Sequence, residues 1–300
     1  MTTTAGTVPS APVSSSSDEI KSRAESQKTF KIVAYTVCVL LTVMCLFPFV
    51  IMIVNSTRST TQIQQHSISL IPGTSLLKNF AVLTGKSFNP LRGFLNSLGI
   101  SFFSTLCNIY FSTMTAFALV AYNWKLRKPF FTVIMAVLMI PAQVTSIGFY
   151  QFMYQIGMTN NFLALILPSI AAPTTVFFMR QYMIPSLPME ILQSARIDGA
   201  REFRIFNQIV LPMMKPAMAT QAIFAFVGKW NEFFLSSILL TKQEKYTMPI
   251  MVSLLKGDIY KTEYGAIYLG LFLTVLPLLA VYFLLSKYIV AGVALGGVKS

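Results

Sequence analysis

Histidine occurs once in the 300 residues, at His66, and acidic residues only ten times. With no histidine inside any apolar stretch, neither an intramembrane proton relay nor a Ser–His nucleophile pair has its base. Charge of either sign is scarce: Lys, Arg, Asp and Glu make up 11% of the chain, against about 25% in a soluble globular protein. Cysteine is limited to Cys38, Cys45 and Cys107, all within apolar runs and without CxxC or Cys/His spacing. Neither a disulfide framework nor a metal site can be built from them. A phosphate-binding loop is missing too. Lys86 and Ser87 follow Gly85, but Phe80 stands where the first glycine of GxxxxGK[ST] belongs. These absences exclude a nucleotide-hydrolysing chain, a metalloenzyme and any recognisable cofactor site.

Apolar residues are abundant at 54%, and their solvent is lipid. The net charge of +13 is not gathered on one polar face, as nucleic-acid binding would require; Lys and Arg fall between apolar runs, where they act as topology signals. A helical span needs roughly 20 mostly apolar residues. Ile32 to Val54, Gly93 to Trp124 and Tyr264 to Ser286 hold no Asp, Glu, Lys or Arg. Pro129 to Met179 is also charge-free but too long for one crossing; Gln155, Gly157, Asn160 and Asn161 mark a turn near 151–162, making two spans. Met213 to Leu240, which contains Lys229 and Glu232, completes six. The expected fold is therefore all-α, a polytopic membrane domain over 30–300 behind a low-complexity, disordered tail over 1–29. The first apolar run is expected to remain as an anchor, because it is long and has no small-residue cleavage site after it. With the N-terminus inside, inner segments carry fourteen Lys and Arg and outer segments eight. Both termini are thus expected to be cytoplasmic, with 180–215 the largest internal loop.

That loop reads Pro-Met-Glu-Ile-Leu-Gln-Ser-Ala-Arg-Ile-Asp-Gly-Ala-Arg-Glu-Phe-Arg-Ile-Phe-Asn-Gln-Ile-Val-Leu-Pro from Pro188 to Pro212. Ile191, Leu192 and Ala195 share one helical face, and Phe203, Phe206 and Ile209 recur at threes after Gly199. Gly199 is placed to end the first helix and Pro212 to stop the second. The pattern predicts an amphipathic helix–turn–helix, lying on the lipid surface or docked on a partner.

Ala195, Asp198-Gly199-Ala200, Ile209 and Leu211-Pro212 resemble the cytoplasmic "EAA" loop of permease subunits of binding-protein-dependent ABC importers, in their MalG-like carbohydrate branch. Phe47-Pro48-Phe49, Asn96-Ser97, Met139 to Val144, Trp230-Asn231-Glu232-Phe233, Tyr246 to Pro249 and Gly292 to Lys299 extend the resemblance over nearly all of the chain after the tail. One departure is Gln193-Ser194-Ala195 where the family has Glu-Ala-Ala, which removes a charge. The resemblance implies a type I importer permease of the bacterial inner membrane that passes a sugar or oligosaccharide and leaves ATP hydrolysis to another subunit. It implies four partner chains: a second, homologous permease in a heterodimer, two ATPase subunits, and an extracellular solute-binding protein. It also implies a coupling loop at 185–212, with Glu190, Ala195, Asp198, Gly199, Ala200, Phe203, Leu211 and Pro212 forming it and its apolar face seated in a cleft of the ATPase.

A sugar crossing lipid needs hydroxyl and amide groups to replace its water. Ser97, Ser101, Ser104, Asn108, Ser112 and Thr115 form one helical stripe, which serves either close packing or the path. Candidate path residues are Asn96, Ser101, Asn108, Gln143, Asn231 and Glu232. Lys229 and Glu232, three apart, are placed to pair. Pro48, Pro141, Pro168, Pro173 and Pro277 predict kinks. The external segment 242–263, with Lys245, Lys256, Asp258 and Lys261, is expected to meet the solute-binding protein. The competing reading is an ion-gradient-driven secondary transporter, which would want more buried carboxylates than Glu232.

Overall fold

The computed structural model describes residues 15–85, 89–254 and 262–297. Among them every regular element is helical. The chain divides into two units, Met1–Met52 and Ile53–Ser300. The first unit consists of most of α1 (Ser15–Ser56), which begins inside the stretch expected as a tail. Its Gln27–Ser56 portion has a mean hydropathy of 3.0 in its most apolar window.

The second unit runs through α2 (Thr60–Gln65), α3 (Leu76–Gly85), α4 (Pro90–Ala121), α5 (Arg127–Leu138) and α6 (Ala142–Gln155). It continues with α7 (Leu163–Ile166), a 3-10 turn, α8 (Pro173–Ser186), α9 (Met189–Ile197), α10 (Glu202–Ile205), a π-helical turn Phe206–Val210 and α11 (Leu211–Met213). It ends with α12 (Lys215–Trp230), α13 (Phe234–Leu239), α14 (Met248–Leu254) and α15 (Tyr264–Gly297).

Four stretches are long and apolar enough to cross a bilayer as they stand: Gln27–Ser56, Leu91–Ala121, Leu163–Ser186 and Tyr264–Leu284. Two further stretches reach that length and apolarity only as bent pairs, Arg127–Leu138 with Gln143–Gln155 at 101° and Glu202–Met213 with Lys215–Trp230 at 80°. The expected third span is therefore broken, and the second bend falls between the loop's second helix and the start of the expected fifth span. At the first break Pro141 is extended, φ −60° and ψ 126°. It has no N–H to offer, and its ring pushes the preceding residue out of helical conformation. The expected fifth span, 213 to 240, is interrupted at 231–233, between α12 and α13. The turn expected near 151–162 is present and rests on two left-handed residues, Gly157 (φ 70°) and Asn160 (φ 56°). Asn160 ties it down by accepting from the Thr241 and Lys242 amides at 2.7 and 2.8 Å. α15 continues past the last apolar run, to Gly297.

Trp230, buried at the end of α12, joins three helices: its indole N–H donates to the Thr274 carbonyl (3.0 Å), and it stacks on Phe226 and meets Phe94 edge-on. At the end of the bundle opposite the 188–212 loop, Arg58 is buried but satisfied. Its guanidinium donates to Asn55 Oδ1 (3.0 Å) and to the His66 (2.7 Å) and Gln62 (2.9 Å) carbonyls. The lone histidine thus contributes only its backbone here. Lys256, Asp258 and Lys261, expected to meet a partner, lie outside the described residues.

Candidate functional site

The loop 188–212 folds as the glycine pattern requires. α9 ends in a Schellman turn: the Gly199 amide donates to the Arg196 carbonyl and the Ala200 amide to the Ala195 carbonyl, both at 3.0 Å. Gly199 sits at φ 78°, which a residue with a β-carbon adopts only at a cost. After it, the second helix runs from Glu202 through the π-turn to Met213. It passes Pro212 by one residue and then bends.

The apolar face read from the sequence is turned mostly inward. Leu192, Ile205, Phe206 and Val210 are buried with Ala116 and Phe117 of α4 and with Met179 and Met183 of α8. Ala195, Ala200, Ile209 and Leu211 pack against that cluster. Most of the stripe thus anchors the loop to its own spans, because α4 and α8 end where the loop begins and their apolar surface needs cover; its members Ile191 and Phe203 stay outside. The outward face carries Glu190, Gln193, Asp198, Arg201 and Pro212, together with three bared apolar side chains, Ile191 (43% exposed), Ile197 (86%) and Phe203 (67%). Ile197 was not singled out by periodicity, since it lies off the apolar stripe.

A polar clasp crosses the Gly199 turn. Arg196 donates to both carboxylate oxygens of Glu202, at 2.7 and 3.3 Å, and the Tyr122 hydroxyl at the end of α4 donates to the same carboxylate. The guanidinium also lies 5.4 Å from the Tyr122 ring centroid. The Arg196 hydrogen bond holds the Glu202 carboxyl below its usual range, against the opposing effect of partial burial. Burial, followed by the hydrogen bond to Glu202, pushes the Tyr122 phenol up to about 12. A lowered carboxylate loses its contribution as pH falls through the folded value, and a raised phenol loses its contribution only as pH rises through that value. The clasp is therefore intact from above 4.5, the ordinary carboxylate value, to beyond 10.0, the ordinary phenol value. No sequence signal marks it, because Tyr122 and Glu202 are 80 residues apart. Both acid and base are partly exposed, so the clasp is worth about 1 kcal/mol or less, roughly a fivefold effect. Glu202→Gln and Tyr122→Phe are expected to lower uptake by up to about that factor at unchanged membrane abundance. Wild-type coupling should be flat from pH 6 to 9; a midpoint in that window, measured as uptake per ATP, would remove the clasp from the mechanism.

The candidate path residues separate into two groups. Asn96 donates to the Glu244 and Tyr246 carbonyls, both at 3.0 Å, and so fastens α4 to the 242–246 segment. Ser97 accepts from the Met248 amide at 2.8 Å. Ser101, Ser104 and Ser112 are buried along α4, and their hydroxyls, like Asn108 Oδ1, have no partner among the described residues. In the second group, Gln143 and Glu232 line one cavity of ≈410 Å³ with Thr145, Ser146, Phe149 and Pro168. It lies where the two helix breaks meet. Asn231 is exposed beside it. Lys229 and Glu232, whose spacing only allows a pair, make no close ion pair among the described residues. The carboxylate accepts instead from the Leu235 amide (2.6 Å), the Ser236 amide (2.9 Å) and the Ser236 hydroxyl (2.6 Å). The bare amides at the start of α13 point at it, and a helix start is a ready anion site.

Residues 108–295 match the family described as "Binding-protein-dependent transport system inner membrane component". The arabinooligosaccharides transport system permease protein AraQ of Halalkalibacterium halodurans is 34% identical over 255 residues, covering 84% of this chain and 91% of that protein. The lactose transport system permease protein LacG of Rhizobium radiobacter is 32% identical over 268 residues, covering 89% and 96%. A crystal structure of a bacterial ABC transporter involved in the import of the acidic polysaccharide alginate superimposes with a TM-score of 0.75. It covers 93% of this chain and 100% of the matched chain at 22% identity.

Proposed function

We propose, from the premise that this chain belongs to the family of binding-protein-dependent transport system inner membrane components, that it is the sugar-passing permease of an ATP-driven importer. It is a multi-pass inner-membrane protein and a transport component rather than an enzyme in its own right. Its partners in this reading are two cytoplasmic ATPase subunits, a second homologous permease and an extracellular solute-binding protein, with both of its own termini in the cytoplasm. Its cargo is a sugar or oligosaccharide, as for the AraQ and LacG relatives.

The observation that carries this reading is the loop. One face is welded to the spans through Leu192, Ile205 and Phe206, while the other bares Ile197 and Phe203 between charged side chains. Such a rigid block is suited to pass a partner's motion into α4 and α8. Glu190, Gln193, Ile197, Asp198 and Phe203 would meet the ATPase; Ala195, Ala200 and Leu211 would hold the block to the spans; Gly199 and Pro212 would set its angles. Gln143, Asn231 and Glu232 would line the outer half of the path. Ser101 and Asn108 would join it only where the helices part around α4, and Asn96 would position the outer segment. An ion-driven carrier would need a free acid in its spans, and Glu232 is committed to α13.

The test is uptake into proteoliposomes holding the assembled complex and its solute-binding protein. Sugar should enter with ATP supplied on the loop side and should not enter under a proton or sodium gradient alone. The chain purified without partners should show no ATPase activity. Gradient-driven uptake, or hydrolysis by the isolated chain, would overturn the reading.

A further inference from the structure

We infer that the cavity between α8 and α12 is a second, inner subsite that takes an uncharged sugar ring; the inference rests on the importer reading above. The cavity measures ≈430 Å³, within the range of small-molecule sites. α8 supplies Thr174, Phe178 and Tyr182, and α12 supplies Thr220, Gln221 and Phe224. Both helices belong to spans. The cavity lies nearer the 188–212 loop than the one at Gln143 and Glu232, since it opens along the stretches of α8 and α12 that lead to that loop.

Its polar groups are unspent. The Thr174 and Tyr182 hydroxyls and the Gln221 amide make no hydrogen bond among the described residues. Facing hydrocarbon, such groups carry a large desolvation cost, so this face is not built for lipid. An amide with two donors and an acceptor, beside two hydroxyls, matches the mixed donor and acceptor pattern of a sugar. Phe178 and Phe224, 50% and 68% exposed, offer ring surface to its C–H face.

Charge settles which sugars fit. No Lys, Arg, Asp or Glu lines this cavity, and the only charged side chain lining the outer one is the acid Glu232. A carboxylated or phosphorylated sugar would meet one negative charge and no cation in the lining of these two cavities. The fold does not impose that preference, since it also serves a transporter of the acidic polysaccharide alginate.

The experiment uses the assembled transporter in proteoliposomes with its solute-binding protein. Cys38, Cys45 and Cys107 are replaced by serine, and Gln221→Cys or Phe224→Cys is added singly. Arabinotriose, lactose, maltotriose and trigalacturonate are first tested for ATP-dependent uptake by the parent complex. A water-soluble maleimide is then applied during turnover with the transported sugar present or absent. Both cysteines are expected to label, and the transported neutral sugar is expected to slow labelling several-fold, with ATPase stimulation by the binding protein retained. A cysteine that stays unlabelled in an ATPase-competent complex would place this face against lipid or the second permease and overturn the inference. So would labelling that the sugar leaves unchanged, or uptake of trigalacturonate alone. Absence of ATP-dependent uptake of all four sugars would instead count against the importer reading itself.

Discussion

Cells carrying Gly199→Glu are expected to insert normal amounts of the chain into the membrane and to take up no sugar. The position has no steric reason to be glycine, because a β-carbon there would meet nothing within 4 Å. Its reason is conformational. At φ 78° a β-carbon costs about 1 kcal/mol or more, and relaxing toward negative φ would swing α9 relative to the second helix. That swing breaks the two Schellman hydrogen bonds, pulls Arg196 off Glu202 and moves Ile197 away from Phe203 on the outward face. Because the site is exposed, the spans are left intact and the loss falls on ATPase attachment. Gly199→Asn separates conformation from contact: asparagine tolerates the left-handed region, so this variant should retain most uptake. Co-purification of the ATPase and uptake should be measured together at matched abundance. Full uptake with Gly199→Glu would show that the loop transmits nothing.

Gly265→Ala should damage the fold itself, by the opposite mechanism. This glycine, buried in the first turn of α15, needs no unusual backbone, yet a β-carbon would lie 2.4 Å from Asn79 Nδ2 and 2.5 Å from the Arg58 carbonyl oxygen. Backbone cannot yield as a side-chain tip can, so α15 must move off α3. Asn79 is fixed by donating to the Ser56 (2.8 Å) and Arg58 (2.9 Å) carbonyls. Displacing it leaves a buried amide and two carbonyls unpaired. Overpacking and lost hydrogen bonds together cost on the order of several kcal/mol. Membrane abundance and thermal stability in detergent should fall sharply, whereas Gly148→Ala, where a β-carbon meets nothing within 4 Å, should match the parent. An unaffected Gly265→Ala protein would show that this contact is looser than described.

The sequence by itself determined the solvent, the helical class, the number of apolar crossings, the loop and the glycine that ends its first helix. Each of these is a local property: 20 apolar residues, a 3.6-residue period and a glycine after a helical run carry their consequences wherever they occur. The tertiary structure decided what long-range contact decides. Leu192 and Phe206 belong to an apolar stripe that periodicity finds. Only the arrival of α4 and α8 beside the loop shows that most of the stripe is spent inward, while its members Ile191 and Phe203, and Ile197 off the stripe, are left outside. Pro141 promised a kink, but the size of the bend depends on what packs around it. Lys229 and Glu232 were three apart and free to pair until α13 brought its bare amides to the carboxylate. The serine stripe of α4 is periodic whether it lines a path or packs a core; only the fold shows that Ser101, Ser104 and Ser112 are buried with their hydroxyls unpartnered among the described residues. Tyr122 and Glu202, or Gly265 and Asn79, are distant in the chain and carry no mark of each other, since proximity through the fold leaves no periodic trace in one sequence.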